Sequence, residues 1–277
     1  MNPVARALWY IESHYSEELT LEDVATASGV SRYYMARAFA ESTGSSVMRY
    51  VRGRRLSEAA KSLSDGASDI LSVALEAGYG SHEAFTRAFR DQFGLTPEAV
   101  RAQRGLDGMG LVEAMRVDPA KRFELAEPRI ERGRALLIAG MDARYSYESR
   151  GASIPAQWQK FAPNLGSIPG QVGRTTYGVC HNTDQNGTDY LCGVEISDAS
   201  RLSGQFSRIR LEERTYAVFV HRDHISSIRS TFEAIWSEWL PQSGRRIAEA
   251  PDFELYGEAF DPQMGTGKVE IWIPLQT

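Results

Sequence analysis

The 277-residue sequence predicts two regions of different class: an all-α N-terminal domain with two helix-turn-helix units joined by a long helix, and a C-terminal α+β domain of duplicated β-α-β-β. Three observations predict this. Residues 21–44, LEDVATASGVSRYYMARAFAESTG, recur in altered form as residues 70–94, ILSVALEAGYGSHEAFTRAFRDQFG. After about residue 120 the apolar spacing changes from a helical period of about 3.6 to a strand period of about 2. Between the two regions lies a stretch rich in glycine with little periodicity.

The N-terminal elements follow in order. Residues 3–15 form a first helix, with Pro3 suited to its opening turn and Val4, Leu8 and Ile11 on one apolar stripe. Thr20 caps a helix starting at Leu21, with Glu22 and Asp23 in its first turn, where acids favour a helix N-terminus. That helix ends near Ser28-Gly29, and Ser31 caps the next one, which runs to about Ser42 with Met35, Ala38 and Phe39 inward and Arg32, Tyr33, Ala36 and Arg37 outward. A longer helix over 46–63 carries Val47, Tyr50, Val51, Leu56 and Ala60 toward the core and its arginines outward. Asp65-Gly66 breaks it. Ser68 is the expected cap of a helix over Ile70–Ala77. Gly78-Tyr79-Gly80 makes the turn, and Ser81 caps a helix over about 82–93 with His82, Glu83, Thr86 and Arg87 outward and Phe85 and Phe89 inward. Pro97 opens a last short helix. Each repeat thus reads helix, glycine turn, helix, the pattern that sets its second helix in a DNA major groove.

Charge argues for sparing use of bulk attraction. The chain carries −5 overall, and residues 1–105 hold 12 Lys+Arg against 13 Asp+Glu. Arg49, Arg52, Arg54, Arg55 and Lys61 cluster in one segment, and Arg32, Arg37, Arg87 and Arg90 flank the two proposed recognition helices. A basic face on a neutral body binds phosphate weakly and depends on base contacts for the rest.

These residues resemble a known family. Residues 8–104 resemble the DNA-binding region of AraC/XylS-type transcription regulators, most closely in A-x-x-x-G-Y-x-S-x-x-x-F-T-R-A-F-R-x-x-F-G-x-T-P, which stands here as Ala74 to Pro97 with Gly80 before Ser81. The resemblance implies activation or dual control of promoters, with double-stranded promoter DNA and RNA polymerase as partners. It implies DNA contacts by Arg32, Tyr33, Ala36 and Arg37 in the first unit and His82, Glu83, Thr86 and Arg87 in the second, with Arg49 and Arg52 on the joining helix. Ala36 departs from the longer polar residue of some relatives, which leaves that unit leaning on Arg37. Glu83 either accepts from cytosine N4 or faces solvent.

The run RGLDGMGLVEAMRVDPAKR, residues 104–122, reads as a linker over 106–122 with a break at Asp118-Pro119. It separates a DNA-binding domain over 1–105 from a domain over 123–277. In the latter, strands are expected at 134–144, 175–181, 190–197, 216–221, 253–260 and 268–274, and helices at 155–165 and 225–240. This region resembles the GyrI-like small-molecule-binding domain (SHS2-type fold), in YLCGVEI at 190–196, FELY at 253–256 and VEIWIPL at 269–275. The resemblance implies a cleft for flat, apolar, often cationic compounds with Glu254 at its base. Aromatic faces attract cations. The expected contacts are Glu254, Tyr256, Trp158, Tyr177, Tyr190, Trp236 and Trp272, with Glu195 and Glu270 as weaker candidates. If Phe253 and Leu255 face the helices, Glu254 faces the cleft.

Composition narrows the classes. No run approaches the roughly 20 apolar residues of a membrane helix, the N-terminus has no signal-like segment, and two cysteines, Cys180 and Cys192, are too few for a disulfide framework. Residues His221 and His224 lack nearby partner ligands, so no metal or other cofactor is expected. The expected protein is cytoplasmic, nucleoid-associated, free of membrane partners and not an enzyme. It is expected to be a sequence-specific, effector-responsive regulator. The competing readings are a GyrI-like hydrolase of reactive aromatic compounds, pairing Glu254 with Tyr177 or Tyr190 as acid and base, and a protein-sequestering inhibitor.

Overall fold

In the computed structural model, which describes residues 2–117 and 125–276, all seven expected N-terminal helices form. They are α1 (Pro3–His14), α2 (Leu21–Ser28), α3 (Arg32–Thr43), α4 (Val47–Ser64), α5 (Ile70–Glu76), α6 (His82–Phe93) and α7 (Pro97–Gln103). The expected break at Asp118-Pro119, the rest of the expected linker to 122 and residues 123–124 lie outside the described residues. Among these, the chain divides into two compact units: residues 3–35 and 47–117 in one, residues 2, 36–46 and 125–276 in the other. The division therefore cuts α3 between Met35 and Ala36, which the sequence did not announce.

The repeated glycines have a geometric cause. Gly29 and Gly78 end α2 and α5 with φ of +72° and +82°, a left-handed conformation that side chains resist. Each lets the next amide turn back: Val30 N–H donates to Ala25 O at 3.1 Å, and Tyr79 N–H to Ala74 O at 2.9 Å. Thr20 caps α2 in a capping box with Asp23, Ser31 accepts from Tyr34 N–H, and Ser81 accepts from Ala84 N–H. The cap of α5 is Asp69 rather than Ser68, because its two carboxylate oxygens satisfy Leu71 N–H and Ser72 N–H at 3.1 Å each.

The core of the first unit joins Leu56, Ala60 and Leu63 of α4, Ile70, Val73 and Ala74 of α5, Phe85 and Phe89 of α6, and Val100 of α7. Tyr79, Phe85, Phe89 and Phe93 form a chain of edge and tilted ring contacts with centroids 4.8–5.5 Å apart. Arg54, expected outward, is buried: it pairs with Glu12 at 3.0 Å and Glu58 at 3.0 Å and donates to Val112 O at 2.9 Å. The last bond belongs to a second difference. Residues 106–115 are strapped to this unit rather than forming an open tether. Leu106, Met109 and Leu111 pack on the core, Val112 N–H donates to Ser57 Oγ at 2.8 Å, and Met115 N–H donates to Tyr50 Oη at 2.9 Å.

The second unit is one eight-stranded antiparallel sheet in the order β1-β6-β8-β7-β3-β4-β2-β5. Its strands are β1 (Arg129–Gly133), β2 (Leu136–Ser146), β3 (Gln171–His181), β4 (Gly187–Ile196), β5 (Ser207–Leu211), β6 (Arg214–His221), β7 (Asp252–Tyr256) and β8 (Val269–Pro274). Exchanging β1–β4 with β5–β8 reverses the order onto itself, so the duplicated β-α-β-β pattern is a two-fold pseudosymmetry. Each half also carries a short leading strand, β1 or β5, that pairs with the other half's second strand at a sheet edge. Their sequences are short and charged, as edge strands are: RIERG carries charge on both faces, and SRIRL carries Arg208 and Arg210 on one face with Ile209 and Leu211 on the other.

Helix α8 (Arg150–Phe161) begins before the expected position, with Pro155 inside it rather than in its opening turn. The second helical segment runs as a 3-10 turn, α9 (Ile228–Ala234), and a π turn over Ile235–Trp239 that continues to Gln242, so Pro241 lies in its last turn rather than stopping it. Strand β7 ends at Tyr256, not at residue 260. The sheet curls into a half-barrel. Leu211 of β5 and Tyr216 and Trp272 of β6 and β8 join one apolar cluster although they lie toward opposite ends of the strand order.

Asp69→Ala should remove the α5 cap and lower the unfolding free energy by roughly 1 kcal/mol. Urea denaturation reads this; an unchanged midpoint would show that Ser68 or water replaces the carboxylate.

Candidate DNA-reading face and buried carboxylate site

Helix α6 turns the side chains expected outward away from its core. His82, Glu83, Thr86 and Arg87 of α6, with Arg90, Asp91 and Gly94, line one open concave surface. Phe85 and Phe89 are fully buried behind it. His82 Nε2 lies 3.0 Å from Glu98 Oε1. The backbone N–H at Glu83 and the Ser81 hydroxyl hold the Glu83 carboxyl below the ordinary value, so this acid also serves the helix N-terminus.

The first recognition helix differs. Arg32 is exposed and lies 3.5 Å from Glu22, and Tyr33 is half-buried. Ala36 and Arg37, expected outward, are buried, Arg37 with only 1% of its surface exposed. Arg37 Nη2 donates to Asp252 Oδ2 at 2.7 Å, and its guanidinium lies 5.3 Å from the Trp236 ring centroid. One turn along, Glu41 takes a two-pronged pair from Arg150, at 2.7 and 2.6 Å. Burial raises the Glu41 carboxyl, but the Arg150 and Arg37 guanidiniums together hold it below the ordinary value. For Asp252 burial wins over Arg37 and lifts the carboxyl, and its Oδ1 is buried without a hydrogen-bond partner. Buried ion pairs contribute little net stability, yet losing one partner costs about 3–5 kcal/mol. Arg49 and Arg52 of α4 remain exposed.

In the second unit, strand alternation divides the expected ligand residues between two faces. Glu254, Tyr256, Tyr190 and Trp158 come together on the helix-covered face. Tyr190 Oη and Tyr256 Oη both donate to Glu254 Oε2 at 2.7 Å, and Trp158 Nε1 of α8 donates to Tyr190 Oη at 3.0 Å. Gly178 stands opposite Glu254 in β3. A Cβ there would fall 2.0 Å from Tyr190 Oη and 2.5 Å from Glu254 Oε2, so the close approach requires glycine.

Tyr177 and Trp272 point to the other face. They pack with Phe253 and Tyr216, the Phe253 and Trp272 rings stacked 5.3 Å apart. The conditional expectation therefore inverts: Phe253 and Leu255 face the self-packed interior of the half-barrel, and Glu254 faces the helices. Glu195 and Glu270 share the face of Tyr177. Glu195 holds Arg134 at 2.6 Å, and Glu270 holds Arg129 and Lys268 at 2.7 Å each. Trp236 is buried on the π turn beside Arg37 rather than beside Glu254.

Burial pushes the Glu254 carboxyl from the ordinary 4.5 up to about 7, against the two tyrosine hydrogen bonds that lower it. Burial also raises both tyrosines far above their ordinary value, so they remain donors. The group can pair with a cation, or exchange a proton near neutrality. Sequence reasoning missed Gly178, Asp252, Glu41 and Arg150. Only Asp252 carried a signal, since residues two apart in a strand share a face. Among the described residues no group of three or more His, Cys, Asp or Glu could hold a metal, and no helix is long and apolar enough to cross a membrane.

Two family descriptions match the chain: a GyrI-like small molecule binding domain over residues 126–276 and a helix-turn-helix domain over 24–103. The chain is 36% identical to the transcriptional regulator Rob of Salmonella typhimurium over 276 residues, covering 95% of this chain and 93% of Rob. It is 24% identical to the right origin-binding protein of Escherichia coli over 287 residues, covering 97% and 96%. It is 28% identical to the transcriptional regulator BrlR of Pseudomonas aeruginosa over 156 residues, covering 56% and 57%.

The Glu254 shift fixes a pH dependence. The folded carboxyl keeps its proton where the unfolded one has lost it, so this contribution is full below pH 4.5 and is lost as pH rises through about 7. The loss is on the order of 3 kcal/mol. Glu254→Gln should flatten the stability profile over that window in chemical denaturation; a parallel profile in the variant would place the shift elsewhere.

Proposed function

The chain belongs to the regulators that join an AraC-type helix-turn-helix region to a GyrI-like small-molecule-binding domain, and from that premise we propose how each part is used. Residues 1–105 bind promoter DNA, with Arg87 reading a base edge from α6 beside His82, Glu83 and Thr86. Helix α3 reads a neighbouring major-groove segment through Arg32, Tyr33, Ala36 and Arg37, while Arg49 and Arg52 contact phosphate. Residues 123–277 hold a small, cationic and aromatic effector at Glu254, against Tyr190, Tyr256 and Trp158. The protein acts in the cytoplasm as an activator or dual regulator with RNA polymerase as partner. The observation that carries the reading is the buried Glu254 carboxylate, held by tyrosine donors and flanked by an indole, with no cation among the described residues paired to it. A desolvated anion beside aromatic rings favours a flat cation over a neutral or anionic compound.

A hydrolytic use of the site has one observation in its favour. A carboxyl near 7 hydrogen-bonded to Tyr190 has the form of an acid–base pair. Against it stand relatives described as transcriptional regulators. Chromatography of a bound compound after incubation separates the two: recovery unchanged supports a sensor, and a product overturns it.

Arg87→Ala should weaken a specific duplex by about 10-fold or more, at roughly 1–3 kcal/mol per bidentate base contact, and non-specific DNA far less. Equal losses on both would remove its base-reading role. Glu254→Gln should reduce binding of a lipophilic cation such as tetraphenylphosphonium by about 10-fold or more, through loss of the paired charge. Undiminished binding would sink the assignment.

A further inference from the structure

We propose that the pairs Arg37–Asp252 and Glu41–Arg150 form a clasp that withholds α3 from DNA, and that occupation of the Glu254 site opens it. This regulation rests on the effector reading above and gives it a mechanical output. The two copies of the repeat show the contrast. Arg87 of α6 is exposed on an open face, whereas its counterpart Arg37 is buried on Asp252. A guanidinium bound to Asp252 cannot also take the edge of a guanine.

Both pairs are anchored on elements that build the carboxylate site. Asp252 and Glu254 lie two residues apart on one face of β7, about 7 Å along the strand. Arg150 and Trp158 lie on α8, eight residues or about 12 Å apart. The site is filled by its own side chains: Tyr190 and Tyr256 occupy Glu254 Oε2, and Trp158 closes on Tyr190. A ligand that reaches this oxygen takes the place of a tyrosine hydroxyl and displaces Trp158, and with it α8. Gln157 holds the middle of α8 to the sheet through Met141 O at 2.8 Å and Tyr190 O at 2.9 Å, so the helix pivots there. Beyond that pivot Pro155 lacks the N–H that would tie the first turn, and Ser149 makes no side-chain cap. The end that carries Arg150 is held to α3 by Glu41, and locally by the Ser146–Ser149 turn and the Tyr147 ring, 5.5 Å from the guanidinium.

The clasp is also built to release. Asp252 leaves one buried oxygen without a hydrogen bond, so the pair is imperfectly satisfied and gains little over separation.

The test uses the full chain and a duplex selected by that chain from a random-sequence DNA pool. Asp252→Asn should bind the duplex about 10-fold more tightly than the wild type without effector; equal or weaker binding by a cooperatively melting variant would overturn the clasp. If Asp252→Asn fails to fold, Glu41→Gln carries the same expectation and the same refutation. Hydrogen exchange on the wild type supplies the second arm. Tetraphenylphosphonium should speed exchange at amides 36–46. Bound cation, seen by tryptophan fluorescence, with unchanged exchange at these amides would refute the clasp and leave the effector reading standing. Failure of the cation to bind would refute the effector reading, and the two variants would then decide the clasp alone.

Discussion

Taking a carboxylate out of water disfavours its charged form, and Glu254 is enclosed on the covered face of a half-barrel with two hydroxyl donors and, among the described residues, no paired cation. That constraint orders its surroundings. Gly178 has to lack a side chain, because any Cβ would occupy the space of Tyr190 Oη. Tyr190 and Tyr256 have to keep their protons, which burial ensures. Trp158 has to sit on a helix that crosses β4, which Gln157 fixes by donating to the backbone of both β2 and β4. A buried polar network of this kind is poor for stability and good for selectivity, since an intruding group must match both its charge and its donors.

A second consequence follows from strand alternation. Asp252 shares the covered face with Glu254, so the sheet presents two buried acids in a row. One is held by tyrosines and one by an arginine from α3. The opposite face contains no such group at its centre. Its stacked Phe253 and Trp272, with Tyr177 and Tyr216, form an apolar interior, and its acids Glu195 and Glu270 are spent on Arg134, Arg129 and Lys268 at the margins. One half-barrel thus separates a structural aromatic core from an electrostatic site by the thickness of a sheet.

The tandem repeat is symmetric in its backbone and asymmetric in its chemistry. Gly29 and Gly78, Ser31 and Ser81, Phe39 and Phe89 do the same work in each copy. Arg37 and Arg87 do not, because one is enclosed and the other open. In the DNA-reading role proposed for this near-neutral helical region, an exposed Arg87 and a buried Arg37 would make site choice rest on few contacts and on the availability of Arg37.

Much of this was legible in the sequence, and the reasons are local. Helix ends were readable because caps and left-handed glycines act within a few residues, as Thr20, Ser81 and Gly78 do. The apolar faces of α4 and α6 were readable because burial follows helical spacing. Glu254 with Tyr256 was readable because they alternate in one strand. Tertiary structure alone decided the rest. The edge strands β1 and β5 exist through pairing with distant partners, not through apolar content. Tyr177 and Trp272 fell on the far face because the pairing of β7 with β3 and β8 sets them beside Leu255 and Phe253, opposite in face to Glu254. Arg37 and Arg54 read as free surface charge, yet each is buried by an acid far away in sequence, Asp252 and Glu12. Propensity and periodicity see only neighbours along the chain, whereas a buried charge is defined by the partners that remove it from water.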